Sequence, residues 1–120
     1  MQLHLSTIII FVKNVDRQKS FYVDILKLQV VEEIPSEWVL LKAGDCNIAL
    51  HKIGEQYLGG NENVFNPYNN TKIVFEIGGE IEIVRENLLK QNVLMRAIKT
   101  FENYNFLLCD GEDPEGMFFS

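Results

Sequence analysis

The sequence predicts an α+β fold in which one β-α-β-β-β module is used twice. Three observations carry this. Strand-like and helix-like runs follow one another in the same order in both halves. A 17-residue stretch of turn-forming residues separates the halves. A shift of 65 residues lays TIIIFV (Thr7 to Val12) on KIVFEI (Lys72 to Ile77), with four of the six pairs apolar in both copies. The last observation is weak alone, because any two buried strands score similarly. The order of elements is the stronger sign of a repeat.

The first module opens with Leu3 to Val12, nearly continuous and β-branched, as in a buried strand. Asn14 suits the N-cap of a helix starting at Val15. Val15, Gln18, Phe21, Tyr22, Ile25 and Leu26 then recur at helical spacing. Leu28 to Ile34 reads as a second strand, broken by Pro35 and Ser36. EWVLLKAGDCNIALHKI reads as a hairpin with Ala43-Gly44-Asp45 at its turn.

Residues 54 to 70 hold five asparagines, three glycines and one proline, a composition that predicts a loop. The second module restarts with a strand at Lys72 to Ile77, a break at Gly78-Gly79 and a helix from Ile81 to Lys90. VLMRAIKT, YNFLLC and GMFFS supply three further strands. Asp113-Pro114-Glu115-Gly116 has the composition of a type I turn, so the chain reverses there into its last strand. The expected organisation is one domain over 1–120, with module one at 1–53, a loop at 54–70 and module two at 71–120.

The 120 residues suffice for one real core. Apolar residues make up 47% and charged residues 23%, as in ordinary globular proteins. The net charge of −6 argues against a nucleic-acid partner. No apolar run reaches 18 residues, which argues against a membrane span. The N-terminus lacks a basic segment and a cleavage site, and reads as a strand rather than a signal peptide. Two cysteines without a CxxC spacing fit reduced thiols in the cytoplasm.

FVKNVDRQKSFYVDILKLQVV (Phe11 to Val31) and DPEGMFF (Asp113 to Phe119) resemble the vicinal oxygen chelate superfamily, the group of glyoxalase I, bleomycin resistance proteins and extradiol dioxygenases. That superfamily typically reads V-x-D, then a helix ending in F-Y, then L-G-L, with the last strand after D-P-D/E-G. The counterparts here are Val12-Lys13-Asn14, Phe21-Tyr22, Leu26-Lys27-Leu28 and Asp113 to Gly116. The resemblance implies two tandem modules forming a curved mixed sheet around a cleft, with helices on the outer face, and a homodimer. Lys27 replaces the usual Gly. A left-handed residue there costs about 1 kcal/mol when it is not glycine.

Enzymes of that superfamily hold a divalent ion with His and Glu side chains from four strands. Carried over by counting from the motifs, the four positions are Thr7, Ala49, Lys72 and Ser120, a set without imidazole or carboxylate. No metal and no cofactor is therefore expected. His51, Glu76 and Asp110 are what remains to rebuild a relocated metal site, and His4 has the wrong parity to join them.

By strand parity, with Trp38 added for its ring, the expected ligand-binding set is Thr7, Ile9, Phe11, Trp38, Ala49 and His51 from the first module and Lys72, Val74, Glu76, Phe118 and Ser120 from the second. Leu5 shares the parity, and Tyr22 is a further aromatic candidate. Taken alone, each aromatic residue fits plain core packing better; it is as a set around the cleft that they suggest a pocket. His51 is the one side chain of the set suited to general-base work, and Lys72 suits an anionic ligand. The reading that results is a metal-independent protein that binds a small apolar or aromatic, possibly anionic, molecule. Two alternatives stay open. One is a divergent lyase, isomerase or dioxygenase with a relocated site or a His51 base. The other is a non-catalytic interaction module.

Overall fold

The computed structural model describes residues 1–54, 71–100, 102 and 105–120. The chain divides into two compact units, Met1–Pro67 and Tyr68–Ser120. The loop expected at 54–70 lies outside the described residues except for Gly54, as does Tyr104 in the seventh expected strand. The described residues have an α+β architecture: two helices, a mixed four-stranded sheet and a three-stranded sheet.

The first unit has strand β1 at Thr7–Val12, helix α1 at Val15–Ser20, and strands β2 at Gln29–Ile34, β3 at Trp38–Ala43 and β4 at Cys46–Lys52. Asn14 caps α1 as expected, its Oδ1 accepting from the Arg17 N–H at 3.0 Å. The helix continues as a π-helical turn over Phe21–Ile25. Lys27 follows at φ 65°, so the left-handed position is kept although the glycine is not. This lets the Leu28 N–H reach back to the Tyr22 carbonyl at 3.0 Å and turns the chain into β2.

The sheet order is β1-β4-β3-β2, with β1 parallel to β4 and the other pairs antiparallel. The hairpin turn falls on Gly44-Asp45, closed by Ala43 opposite Cys46, and Gly44 takes φ 69°. Alternation sorts the strands into two faces. Ile10, Val12, Val39, Leu41, Ile48 and Leu50 are buried, as are Val15, Phe21 and Tyr22 of the helical segment. Tyr22 is therefore a core residue and not part of a pocket wall. Each such side chain contributes roughly 1.5–3 kcal/mol by burial. β1 starts at Thr7, so Leu3 and Leu5 lie before it and are exposed.

The second unit has helix α2 at Ile81–Lys90 and strands β5 at Leu94–Met95, β6 at Gly111–Glu112 and β7 at Phe118–Phe119, in the order β5-β6-β7. Asn92 at φ 65° ends α2, with the Val93 N–H bonding the Leu88 carbonyl at 3.1 Å and the Asn92 N–H the Leu89 carbonyl at 3.0 Å. This is the Schellman pattern with asparagine at its left-handed position. Asn92 stands 65 residues after Lys27, so the repeat seen in the strands recurs in the backbone.

The second unit's strands are shorter than the sequence suggests. Among the described residues, Lys72 to Ile77 makes one bridge, Ile73 to Phe119, flanked by hydrogen bonds from Ser120 N to Ile73 O at 2.9 Å and from Phe75 N to Ser120 O at 2.7 Å. VLMRAIKT keeps β5 and a separate bridge from Lys99 to Leu108. Pairing lapses between them because Lys99 lies three positions after Arg96, while their partners Leu108 and Asp110 lie two positions apart. One extra residue thus interrupts the ladder.

The Asp113 turn is confirmed and reinforced. Gly116 N–H donates to the Asp113 carbonyl at 2.9 Å. The buried Asp113 side chain accepts from Glu115 N–H at 2.9 Å and Met117 N–H at 3.0 Å.

Candidate functional site

On the sheet face opposite the buried aliphatic residues, the first unit presents three rows of opposed side chains. Asn47 stands between Thr7 and Lys42, Ala49 between Ile9 and Leu40, and His51 between Phe11 and Trp38. The six residues expected from this module, Thr7, Ile9, Phe11, Trp38, Ala49 and His51, thus share one face. Ile9 and Phe11 are 47% and 49% exposed, a large apolar surface to leave in water, whereas Ala49 is fully covered as the floor of its row.

The third row has the chemistry. The His51 ring lies 5.3 Å from Phe11 and 5.7 Å from Trp38, centroid to centroid, with the tryptophan edge-on. His51 Nδ1 lies 2.7 Å from the Lys52 carbonyl. A carbonyl only accepts, so Nδ1 carries the proton and donates. In the neutral ring Nε2 then keeps the lone pair and can accept, on a ring that has two aromatic neighbours. The row can hold a flat ring and accept one hydrogen bond from it.

In the second unit, Leu94, Glu112 and Phe118 oppose one another, and Met95, Gly111 and Phe119 form the next row on the other face. Phe119 is buried beside Phe75, with ring centroids 6.4 Å apart. The face bearing Phe118 includes Asp110, two residues before Glu112. Lys72 Nζ reaches Asp110 Oδ1 at 3.1 Å, and Lys99 Nζ reaches Oδ2 at 2.8 Å. Arg96 lies over the Phe118 ring, 4.4 Å from its centroid, and pairs with Glu112 at 3.5 Å. Val74 and Glu76 are exposed in the same segment as Lys72.

Burial alone would raise the Asp110 carboxyl. The hydrogen bonds from Lys99 and Lys72, with a smaller contribution from Ser120, outweigh it and hold the group at about 2, against an ordinary 3.8. The Ser120 hydroxyl is enclosed and lacks a well-aligned partner, so its help is electrostatic proximity more than a good hydrogen bond. On the buried side, burial pushes the Cys109 thiol up, and its Sγ donates to the Arg96 carbonyl at 3.3 Å. Both cysteines are free.

Lys99, Arg96 and Glu112 were not among the residues expected from sequence. Strict alternation puts Lys99 on the opposite face from Arg96. The extra residue between them brings it back.

The four positions carried over as metal ligands do not fit a divalent ion. Ala49 has no donor, and Lys72 is a cation committed to Asp110. Asp110, one of the residues left to rebuild a site, is held between two ammonium groups. Among the described residues, no group of three or more His, Cys, Asp or Glu is arranged to hold a metal. Among them, too, no helix is long and apolar enough to cross a membrane.

No protein-family model and no curated protein sequence matches the chain. Solved structures do match, along nearly the whole chain. A lactoylglutathione lyase from Agrobacterium tumefaciens superposes with a TM-score of 0.72 at 15% identity, over 97% of this chain and 90% of the other. A genomically encoded fosfomycin resistance protein from Listeria monocytogenes gives 0.70 at 15% identity, over 99% and 89%. An antibiotic binding protein from a Streptomyces species gives 0.72 at 14% identity, over 98% and 93%. The chain has the vicinal oxygen chelate fold. At these identities the likeness establishes the fold, and function has to come from the site.

Proposed function

We propose that the protein binds a small apolar or aromatic molecule without a metal ion, on the sheet face bearing Phe11, His51 and Trp38. The observation that carries this is the aromatic row over an apolar floor, with one fixed acceptor at His51 Nε2. Such a surface, mostly apolar with few polar groups, is the usual make-up of a small-molecule site. The chemistry of the four carried-over positions supports metal independence. Antibiotic-binding and fosfomycin-resistance proteins among the structural neighbours support a small organic ligand. The resemblance adds a homodimer to this reading, the two thiols without a CxxC spacing add the cytoplasm, and the net charge of −6 keeps nucleic acid out of it.

A second reading is metal-independent catalysis with His51 as general base, favoured by the single fact that Nδ1 is engaged by the Lys52 carbonyl, which puts the neutral ring's lone pair on Nε2. A binding protein differs from it by returning the ligand unchanged.

Trp38 is the chain's one tryptophan, so its fluorescence reports on this face directly. A panel of aromatic molecules bearing phenolic or N–H donors is expected to include compounds that quench it saturably. Phe11→Ala is expected to weaken such binding about tenfold, near the value of one well-placed aromatic contact. Quenching that Phe11→Ala and His51→Ala leave unchanged would overturn the assignment.

A further inference from the structure

We infer that the aromatic face of the first unit takes an aryl acid in one orientation, with the ring at Phe11, His51 and Trp38 and the acidic group about 13 Å along the strands, at a polar row of Thr7, Asn47, Lys42 and Gln29. The inference deepens the reading above and rests on it for the place of the ring. Its residues all belong to the first unit.

Each cross-strand row continues onto β2. Gln29 pairs with Lys42, Glu32 with Leu40 and Ile34 with Trp38. Gln29 and Ile34 are an odd number of positions apart, so regular alternation would set them on opposite faces. The bulge between Val30 and Glu32 brings both to this one. The face therefore changes character along its length. The row of Phe11, His51, Trp38 and Ile34 is aromatic and apolar apart from the His51 nitrogens. The row of Ile9, Ala49 and Leu40 is apolar, with Glu32 at its edge. The row of Thr7, Asn47, Lys42 and Gln29 is wholly polar. His51 lies four positions after Asn47 on β4, which sets the two end rows about 13 Å apart.

The polar row is a set of open donors. Thr7 and Asn47 are half-buried, and Lys42 and Gln29 are exposed. Among the described residues, no hydrogen bond or ion pair engages the side chain of any of the four. A half-buried hydroxyl or amide has lost part of its water and gains from a partner. Lys42 supplies a positive charge, and the neutral donors beside it suit the second oxygen of a carboxylate. Glu32 fixes the direction. It stands at the edge of the middle row and repels an acid placed there, whereas an acid one row further on meets Lys42. Ala49, fully covered, is the smallest side chain of the middle row, and between Ile9 and Leu40 it leaves an apolar dip for the chain that joins ring to acid.

The test uses the full chain and three probes: hydroxyphenylacetate, hydroxyphenyloctanoate and the primary amide of the octanoate. The extended octanoate chain matches the distance between the two end rows, and the acetate falls short of it. Trp38 quenching reports the binding of each. The octanoate is expected to bind tightest, about fivefold tighter than its amide, near the upper value of an exposed ion pair. Added salt is expected to shrink that ratio by screening. Lys42→Met is expected to bring it to about one, and Lys42→Arg, which keeps the charge, to retain it. If the Met variant does not fold, the salt dependence of the wild-type ratio still decides. A wild-type ratio near one, or a ratio unchanged in folded Lys42→Met, would overturn the inference, while saturable quenching by the same probes keeps the reading above. Quenching by none of the three would overturn the inference, and quenching by no compound of the wider aromatic panel would remove the reading above as well.

Discussion

Replacing Asp110 by asparagine keeps the shape of the side chain and removes the charge that two lysines share. The Asp110 carboxyl lies at about 2 in the fold and near 3.8 when ordinary. A difference of about 1.8 units corresponds to roughly 2.4 kcal/mol at about 1.36 kcal/mol per unit. Lys72 and Lys99 are about 40% exposed, so solvent and salt screen part of this, and roughly 2 kcal/mol is the better figure. The folded group binds its proton less readily than the unfolded one. Its contribution is therefore whole above the unfolded value near 3.8 and disappears as pH falls through about 2. Urea unfolding of wild type and Asp110→Asn at pH 7, 5 and 3 measures this. The expected gap is roughly 2 kcal/mol at pH 7 and 5, falling to about half by pH 3. A gap that does not change with pH, or no gap at pH 7, would refute the assignment of the shift to the two lysines.

Lys27→Gly is expected to raise stability by about 0.5–1 kcal/mol, because a left-handed residue sheds its side-chain strain, as a shift in urea midpoint would show. Gly111→Ala is expected to lower it by about 1–3 kcal/mol in the same assay. Its new methyl would sit 2.6 Å from Met95 Sδ and 2.7 Å from Phe119 Cζ, and the buried Phe119 ring has little room to move.

Residues with strong local rules were legible in the sequence. Asn14 caps α1, Gly44 takes the left-handed hairpin position, α2 spans Ile81–Lys90 and Asp113 organises the last turn. Each is decided by chemistry within a few residues. The first unit's open face was legible for a related reason. Its strands are long and regular, so parity carries from Thr7 to Phe11 and from Ala49 to His51.

The second unit was less legible because its strands are short and one is interrupted. Counting alternation across the extra residue between Arg96 and Lys99 gives the wrong face. The pairing of Lys72 with Asp110, 38 residues apart, follows from tertiary placement that no local pattern encodes. The sequence left Tyr22 open between core and pocket wall for another reason. It lies on the buried stripe of α1 and its π-helical extension, and an aromatic side chain alone does not distinguish core from pocket wall.

The account's central claim is that the Phe11, His51 and Trp38 face holds a small aromatic molecule without a metal ion. The most direct measurement is Trp38 fluorescence, titrated with the best-quenching compound in the presence of excess chelator and again with added Zn²⁺, Ni²⁺, Mn²⁺ or Fe²⁺. The account predicts the same saturable quenching in every case, and its loss in the Phe11→Ala, His51→Ala double variant. Binding that appears only when one of the ions is added would contradict it.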